Sequence, residues 1–467
     1  MREDTERIPM DGKGNTGVIY RLLRIFTVVR PGEAGTALLL MLNVFLLLTA
    51  YYIIKPVREA LILAGKGAEW KSYLSAAIAV LLVFVVKIFS SIASRFPRQR
   101  LITWVTLFFI SNLAIFYLLS VIGVGLGTVG VIFFIWVGIF NVLVVAQFWG
   151  FANDIFTPEA GKRLFPLVAF GATFGAYAGS QISEWLVIPI GKYQMLLVAG
   201  VVLGICIVLT RIIHMREIRR VSARTAESSE GESTEEEKPL EKGGGFQLLF
   251  KKRYLLYIAL VVLLLNFVNT NGEYILGKFV SRTANEAVAA GTAGGLDVPD
   301  FITRFYASFY KYMNLAAMII QLFLVSRIFK WLGVRIALLF LPFIALGGYF
   351  LIALGASLML VHWVKVAENS TDYSLMNTTR HSLYLITTRE EKYKAKAATD
   401  TFFHRAGDVL SALIVFIGTS YALRLEGFAM LNIGLTLAMI AICFLIMREH
   451  RRLTGGIAGR EEESGAV

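Results

Sequence analysis

Two cations follow a long apolar run early in the chain, and their position suits the binding of an anion. From residue 36 to residue 54 the sequence carries no charge, which is long enough to cross a bilayer core. Lys55 and Arg58 come next, and Pro56 between them can interrupt a helical hydrogen-bond ladder. Lipid solvates cations poorly, so they must face water, a partner or a ligand. Two interpretations stay open: the cations end the helix at the membrane interface, or they form a cationic wall at the mouth of a central cavity.

Charged residues also fall inside apolar stretches of the second half of the chain, where they are unfavourable unless they line a water-filled path. In one stretch, Glu368 lies at helical neighbour spacing from Lys365 and from Asp372. A later stretch, from Lys396 to Asp408, repeats ionisable side chains at steps of four. The alternative is a set of salt bridges that lock the cytoplasmic ends of helices. The candidate substrate-binding residues are Lys55, Arg58, Asp154, Glu273, Asp372, Lys396 and Arg405.

The composition is that of a polytopic membrane protein, since 56% of the 467 residues are hydrophobic and the mean hydropathy is +0.65. The formal net charge is +13, which is first a signal of topology and second an indication of an anionic substrate. Cys206 and Cys443 both lie in apolar runs, so the sequence predicts neither a disulfide framework nor a metal site. We also expect no cofactor and no removable signal peptide.

Twelve apolar segments predict an all-α membrane protein with twelve transmembrane helices in two six-helix halves, a major-facilitator-like plan. The halves resemble each other weakly: residues 90–102 and 324–336 both place a Ser-Arg pair and further cations between the second and third spans of a half. The predicted spans are 36–62, 72–94, 101–121, 125–150, 164–189, 194–213, 254–277, 304–328, 335–353, 356–386, 398–423 and 427–447.

Basic residues follow the even-numbered spans and are scarce after the odd-numbered ones. By the positive-inside rule, both termini and these basic connections are cytoplasmic. The Glu-rich stretch 222–245 has the composition of a disordered linker. The external segment 278–300 is predicted to be a loose loop. The predicted organisation is a cytoplasmic N-terminal segment at 1–34, six-helix halves at 35–215 and 253–447, a cytoplasmic linker at 216–252 and a cytoplasmic tail at 448–467.

Motifs for enzymatic chemistry are weak in this chain. Residues 125–130 fit GxGxxG, but they lie between two apolar spans with no strand before them, so we reject a dinucleotide site. The sequence contains no Walker A motif and no GxSxG, and its five histidines lack ligand spacing. Gly171, Gly175 and Gly179 recur at every fourth position, which predicts close helix packing rather than binding. We therefore expect neither an enzyme nor a protein that binds nucleic acid polymers.

Segments in both halves resemble the ATP/ADP translocases of plastids and intracellular bacteria. Residues 147–154, QFWGFAND, with residues 159–167, EAGKRLFPL, resemble that family's FAN(E)…EAKRFYPL signature. The first span with Lys55, the NGEYILGK segment around Glu273, and KAKAATD followed by Arg405 resemble further segments of the family. These matches are spread over both halves and cover most of the chain.

The resemblance implies a carrier in which Lys55, Asp154, Glu273 and Lys396 take the places of the family's functional charged residues. The chain departs from the family at three points. Asp154 stands where the family often has Glu, and the first span reads KPVRE in place of a Lys-Thr-type run. After Arg405, AGDVL replaces a run of the family that contains a lysine, a change that bears on triphosphate specificity.

Together, these features predict a carrier of nucleotides, or of related phosphorylated anions, that works by alternating access as a monomer in a bacterial inner membrane. The four cations of the candidate set would contact phosphate oxygens, and its three carboxylates would orient, gate or balance them. A cavity with several cations is unfavourable when empty, which favours exchange over net movement. The alternatives are a proton-coupled transporter of another anionic solute and a non-transporting membrane sensor or scaffold.

Overall fold

The structure, a computed structural model, describes residues 33–93, 95–225, 245–388 and 391–464. Nearly all of the predicted N-terminal segment, and the middle of the predicted linker, lie outside the described residues. All regular structure within the described ranges is helical. The helices before the linker, which we call the first half, are α1 Glu33–Gly65, α2 Ala68–Ala93, α3 Arg98–Val121, α4 Leu126–Ile155, α5 Pro158–Ile190 and α6 Gln194–Thr225.

After the linker, several helices contain π-helical turns, which add a residue and rotate the face that the helix presents. A short helix, α7 Gly245–Lys251, precedes this second half. The second half consists of α8 Arg253–Ala289; α9 Val298–Ile319, extended by a π turn Ile320–Leu324 and by Val325–Trp331; α10 Gly333–Ala353; α11 Leu358–Thr371, extended by a π turn Asp372–Met376 and by Asn377–Leu383; α12, formed by Lys396–Ala398, a π turn Thr399–Phe403 and His404–Ser420; and α13 Leu425–Ser464.

Ten of the described helices are long and apolar enough to span a membrane by length and composition. The two long helices outside this set are α5 and α11. Glycine, serine and glutamine dilute the apolar residues of α5, and α11 carries Lys365 and Glu368 and is broken by its π turn. The helices α1–α6 and α8–α13 are consistent with the twelve predicted spans, and the chain is a multi-pass membrane protein.

The predicted loose loop at 278–300 is wrong over its first half, where α8 continues to Ala289. This part contains neither Gly nor Pro, and Arg282 forms an ion pair with Glu286 one turn later. The chain turns afterwards at three glycines with positive φ, a conformation that glycine adopts without steric strain. These are Gly291, Gly294 and Gly295.

Helix α1 continues past Pro56 to Gly65, so Lys55 and Arg58 do not end it at a membrane interface. The residues around them are buried, and the interpretation as an interfacial helix end is therefore wrong. Buried cations on a continuous helix must instead face other charges, aromatic rings or an internal space.

The glycine repeat of α5 lies against the backbone of α1. A Cβ atom at Gly171 would come 2.6 Å from the Met41 carbonyl oxygen, and one at Gly175 would come 2.8 Å from the Phe45 carbonyl carbon. The Thr49 hydroxyl donates a hydrogen bond of 3.2 Å to the Gly175 carbonyl oxygen. The predicted role of these glycines in close helix packing is confirmed, because side chains here would force the helices apart.

The two halves meet along a limited set of helices. From the first half these are α1, α2 and α5, and from the second half α8, α9 and α12. Helix α9 packs against both α1 and α5, while α2 packs against α8 and α12. This arrangement brings the charged segments of α1, α2, α8 and α12 to one central region.

Candidate functional site

A cavity of about 260 Å³ lies between the two halves. Its lining is mostly polar or charged, and both halves contribute to it. The polar side chains from the first half are Tyr51, Lys55, Arg58, Lys71, Ser72, Ser75 and Asn141, and those from the second half are Asn266, Asn269, Thr270, Glu273, Tyr310, Asn369, Tyr373, His404, Arg405 and Asp408.

Lys55 is held among aromatic rings rather than by a carboxylate. Its Nζ atom lies 4.1 Å from the ring centre of Tyr310, 5.0 Å from that of Tyr52 and 5.8 Å from that of Tyr51. Cation–π attraction stabilises a desolvated ammonium by about 2 kcal/mol, but it supplies no hydrogen-bond acceptor. Among the side chains that the structure describes, none forms an ion pair with Lys55. An anionic ligand could therefore supply the missing acceptor.

The neighbouring cations of the first half are already paired. Arg58 contacts Glu59 on the same helix, with 3.1 Å from Nε to Oε1. Glu59 is fully buried, and its Oε2 atom lies 2.8 Å from the Nζ atom of Lys71. Lys71 also lies 3.0 Å from Oε2 of Glu273 on α8. Alternating charges thus connect the first half to the second.

The chain of charges continues from Glu273 into α11. The second carboxylate oxygen of Glu273 accepts a hydrogen bond of 3.0 Å from Asn369 and lies 4.0 Å from the Nζ atom of Lys365. Lys365 is fully buried and lies 3.0 Å from Glu368, which confirms the pair predicted from their spacing. Tyr349 donates to the same carboxylate at 3.0 Å. Lys365 is therefore neutralised inside the protein.

A second ion pair borders the cavity on α12, where Arg405 lies 3.4 Å from Asp408. The other oxygen of Asp408 accepts hydrogen bonds from Asn266 at 2.9 Å and from Thr270 at 2.8 Å, both on α8. These bonds fix the carboxylate against α8. Arg405 consequently has a local partner while its side chain stays 37% exposed, which leaves it accessible to a ligand.

The charges around the cavity almost cancel. The lining and the side chains paired with it contain five cations and four carboxylates, which leaves one positive charge in excess. Adding Asp372 and Arg380, which interact with each other on α11, leaves this excess unchanged. The cations are Lys55, Arg58, Lys71, Lys365 and Arg405, and the carboxylates are Glu59, Glu273, Glu368 and Asp408.

Four of the seven predicted site residues line this cavity. Lys55 and Arg58 reach it from α1, Glu273 from α8 and Arg405 from α12. They are far apart in sequence and come together because α2 packs against both α8 and α12, α8 packs against α12, and the end of α1 meets α8. The structure therefore brings these four together, and whether they bind substrate stays a prediction.

The other three predicted residues do not line the cavity. Asp154 is exposed at the end of α4, where it pairs with Arg98. Asp372 borders a small separate void beside Glu368, and Lys396 is half-buried at the start of α12. The π turn at Thr399–Phe403 explains why Lys396 does not line the cavity although Asp408 does. The turn interrupts the regular four-residue spacing that would place Lys396 and Asp408 on one helix face.

Arg98 contacts two residues of the QFWGFAND segment. Besides its ion pair with Asp154, it donates a hydrogen bond of 2.6 Å to the Gly150 carbonyl oxygen. Arg98 is the first residue of α3, so these contacts attach the α2–α3 connection to the end of α4. Asp154 and Gly150 of this segment thus have a structural role, as contacts of Arg98 outside the cavity.

Lys71 is a functional candidate that the sequence patterns do not indicate. The second predicted span begins at residue 72, which assigns Lys71 to a connection. In the structure α2 begins at Ala68, and Lys71 is buried between Glu59 and Glu273. The available signal was a lysine directly before a long apolar run, within one turn of Glu69.

Comparison with known proteins agrees with the sequence resemblance. Residues 130–275, which run from α4 to α8, match the family model described as TLC ATP/ADP transporter. The ADP,ATP carrier protein 1 of Chlamydia muridarum is 24% identical over 308 residues, which are 59% of this chain and 55% of that protein. The resemblance to ATP/ADP translocases is confirmed. The protein of the same name from Chlamydia trachomatis serovar D is 23% identical over the same shares, so the chain spans about half the length of these curated relatives.

Solved structures identify the fold. The nucleoside transporter NupG superposes with a TM-score of 0.62 at 10% identity, over 89% of this chain and 98% of that one. A POT family transporter in complex with 5-aminolevulinic acid gives a TM-score of 0.56 at 13% identity, over 90% of this chain and 96% of that one. At these identities the likeness shows the fold alone. The fold is major-facilitator-like, as the sequence predicted.

Proposed function

We propose that this protein carries a nucleotide, or a related phosphorylated anion, across a membrane by alternating access. The observation that carries the proposal is the position of Lys55. This buried lysine lies against tyrosine rings and lines a cavity to which both halves contribute. A phosphate oxygen would provide the acceptor that the tyrosine rings lack. Such a charge-assisted hydrogen bond contributes about 1.5–3 kcal/mol. The partial match to ATP/ADP transporters supports a nucleotide as the substrate.

The position of the cavity favours a carrier over a sensor or scaffold. In a scaffold, the charged residues would pair only with neighbours at the cytoplasmic ends of their helices. Here Lys71 and Glu273 pair across the two halves beside an internal space. A site at the interface of two halves is what alternating access requires, because each side opens when the halves rock about it. We place the carrier, as a monomer, in a bacterial inner membrane.

The ion pairs in the structure weaken the electrostatic reason for exchange, which was repulsion among unpaired cations in an empty cavity. The sequence predicts several cations that repel one another in an empty cavity, whereas the structure pairs Arg58, Lys71, Lys365 and Arg405 with carboxylates. Only one positive charge is in excess, so repulsion does not compel the carrier to return loaded. Exchange is therefore supported by the resemblance to ATP/ADP translocases alone.

Replacement of Lys55 tests the proposed function. Lys55→Gln keeps a polar side chain but removes the charge, and we expect at least tenfold weaker binding of ADP, measured by thermal shift and by isothermal titration. Lys330→Gln is the matched control, because Lys330 is an exposed lysine on α9 away from the cavity. Equal affinity in Lys55→Gln and the parent would assign Lys55 a structural role. If neither AMP, ADP nor ATP binds the parent, the nucleotide proposal fails.

Transport in reconstituted vesicles distinguishes exchange from proton symport. Under exchange, vesicles preloaded with unlabelled ADP take up labelled ADP much faster than empty vesicles. Under symport, empty vesicles take up as much label, an imposed proton gradient stimulates uptake, and Glu273→Gln abolishes the stimulation. Either result identifies whether the carrier works by exchange or by proton symport.

The proposed orientation follows from the basic connections after the even-numbered spans. Cysteines placed singly at Ser229 and Asn285 should react with a membrane-impermeant thiol reagent from opposite sides. Asn285 lies on the exposed part of α8, and Ser229 lies in the predicted cytoplasmic linker. Reaction from the same side would contradict the arrangement of six spans plus six.

A further inference from the structure

A second cavity lies at the end of the molecule where α5 finishes and α9 and α11 begin. Its volume is about 620 Å³, larger than that of the cavity described above. The first half contributes Glu184 of α5 to its wall, and the second half contributes residues of α9, α11 and the α8–α9 connection. The two cavities share no lining residue, so the second cavity is a separate site.

Polar side chains without partners line the second cavity. Arg304, Ser308 and Tyr312 recur at steps of four along α9, which places them on one helix face. Among the side chains that the structure describes, none forms an ion pair or a hydrogen bond with Arg304 or Ser308. His362 of α11 is only 7% exposed and, within the described residues, makes ring contacts but no hydrogen bond; its ring centre lies 6.3 Å from that of Tyr312. Such free donors in a concave site suit an oxyanion.

The charge of the second cavity is that of Arg304. The other charged residue of the wall, Glu184, lies 2.6 Å from the Nζ atom of Lys311 and is neutralised by it. Lys311 also lies 4.5 Å from the ring centre of Tyr312, which fixes this ion pair at the cavity wall. Arg304 is left as an unmatched cation, and its guanidinium can bind two oxygens of a phosphate at once.

The surface that continues from the cavity is apolar and exposed. On α11, Met359 and Trp363 line the cavity and are 65% and 44% exposed, and further along α9 the side chains of Ile319 and Phe323 are exposed. In a chain that spans a membrane, such a surface lies against acyl chains. A ligand with a phosphate and an acyl chain would contact both the cavity and this surface, whereas a soluble anion would contact the cavity alone.

The depth of Arg304 also agrees with a lipid head group. Arg304 lies in the second turn of α9, about 9 Å from the start of the helix. Tyr312 and Trp363, whose ring centres lie 5.2 Å apart, are of the residue types that are enriched where head groups meet acyl chains. A long arginine side chain at this depth reaches the head-group layer.

We propose that the second cavity binds the head group of an anionic phospholipid, with Arg304 on the phosphate and the acyl chains along the exposed apolar surface of α9 and α11. The bound lipid contacts both halves, because Glu184 belongs to the first half. A zwitterionic head group would bring its own cation next to Arg304, which favours an anionic lipid. The proposal goes beyond the proposed function, since it does not depend on what the protein carries.

The test measures which lipid the purified full chain retains. Native mass spectrometry follows the protein as it is released from micelles with equal amounts of phosphatidylglycerol and phosphatidylcholine of one chain length. We expect the parent to retain phosphatidylglycerol at least about tenfold more often than phosphatidylcholine, and Arg304→Gln to lose this preference. Arg282→Gln is the matched control at the same end, because Arg282 is 75% exposed and lies outside the cavity, and it should behave as the parent.

A second variant separates the cavity from the charge. Ser308→Trp fills the cavity but keeps Arg304, and we expect it to lose the retained phosphatidylglycerol as well. Retention by Ser308→Trp as strong as by the parent would place the lipid on the open surface and overturn the cavity as its site. Equal retention of the two lipids by the parent, or an unchanged preference in Arg304→Gln, would overturn the proposal.

Glycerol 3-phosphate distinguishes a lipid from a soluble anion. It carries a phosphate without acyl chains, and we expect it to bind far more weakly than dioctanoyl phosphatidylglycerol in isothermal titration. Equal affinities would show a site for soluble anions and overturn the lipid as its ligand. None of these measurements uses a nucleotide, so their outcome is independent of the proposed function.

Discussion

At the end where α1, α5 and α8 finish, ion pairs cross from the first half to the second. At the end where these helices begin, the ion pairs whose two side chains the structure describes stay within a half. We call the former the closed end. There Lys311 on α9 lies 2.6 Å from Glu184 on α5, and Lys192 lies 3.0 Å from Asp297. Lys278 of α8 likewise contacts Glu69 of α2.

We call the opposite end, where α1, α5 and α8 begin, the basic end. The contacts named there connect helices of the same half. Arg163 on α5 lies 3.0 Å from Glu33 on α1, within the first half, and Arg335 on α10 lies 3.1 Å from Thr454 on α13, within the second. Arg98 and Asp154 also belong to one half. The two ion pairs named at the basic end, Arg163–Glu33 and Arg98–Asp154, therefore join residues of one half.

Under the proposed alternating access, this difference indicates which contacts must break for the cavity to change the side to which it opens. Contacts within a half can persist through the cycle, and contacts between halves cannot. The crossing pairs differ in burial, from Lys71–Glu273 beside the cavity to Lys192–Asp297, in which the lysine is buried but the aspartate side chain is 56% exposed. Since buried pairs respond far more strongly to loss of one partner than exposed pairs do, the effects of mutation should fall from the cavity outwards.

The largest effect is expected from Lys71→Met. It leaves Glu273 without its closest cation and removes one of the two partners of the fully buried Glu59. Breaking a buried pair in this way costs about 3–5 kcal/mol, so the purified variant should melt well below the parent. Lys278→Met is the matched control at the same pair of helices, because its side chain is 36% exposed. Equal melting temperatures of the two variants would contradict the predicted gradient.

The next largest effect concerns packing within a half. Gly175→Ala places a methyl group against the Phe45 backbone, and overpacking of this kind costs about 1–3 kcal/mol. Gly204→Ala on α6 is the control, because a Cβ atom there meets nothing within 4 Å. We expect the first variant to melt at a lower temperature and the second to match the parent. Since α1 and α5 lie in the same half, neither should change the opening of the closed end.

The sequence predicted the spans and the glycine contact because both depend on local patterns. Apolar runs of membrane length, and small residues at every fourth position, can be recognised within one helix. They do not require knowledge of the helix that packs against it. The Lys71–Glu273 pair has no such pattern, since its members are separated by 202 residues and meet only when α2 packs on α8. The same limit explains why the sequence predicts Asp154 as a substrate-binding residue, although Asp154 contacts Arg98 outside the cavity.

The π turns account for the remaining differences between the predicted site residues and the residues that line the cavity. The step-of-four pattern from Lys396 to Asp408 assumes one regular helix, but the π turn at Thr399–Phe403 shifts its face, and Asp372 begins another π turn. Nothing in composition or period marks these turns. Lys365 and Glu368 precede the π turn of α11, and there the predicted pair is confirmed.

A smaller effect is expected when a partly buried crossing pair is removed. Lys311→Met eliminates the contact with Glu184, which is worth about 1 kcal/mol, and should shift part of the population towards a state with the closed end open. Spin labels at Trp185 and Leu354, exposed residues of opposite halves, should report a longer distance at that end. Labels at Phe96 and Trp331 should report a shorter one at the basic end. Unchanged distances in both pairs would show that this ion pair does not hold the halves together.

The smallest effect is expected at Lys192, which lies between α5 and α6 and contacts Asp297 and Asp300 at 3.0 and 3.1 Å. Burial acts to lower the pKa of Lys192, but the hydrogen bonds and charges of the two aspartates outweigh it and raise the pKa above its usual value. A raised lysine pKa means that the contact is fully present below about pH 10.4 and is lost only as the pH rises further.

The Asp297 partner sets the acid limit of the same contact. Its burial acts to raise the pKa, but the Asp300 backbone N–H and Lys192 lower it overall, so the Lys192–Asp297 contact is complete above about pH 3.9 and is lost as the pH falls further. Burial raises the pKa of Asp300 despite Lys192, so the Lys192–Asp300 contact is lost at a higher pH than the Lys192–Asp297 contact. The distance between labels at Trp185 and Leu354 should therefore be constant from pH 6 to pH 9. Because the Asp297 side chain is 56% exposed, Lys192→Met should cost at most about 1 kcal/mol and lengthen that distance less than Lys311→Met does. A larger shift for Lys192→Met would mean that the outermost contact, rather than the buried network around Lys71, controls the closed end.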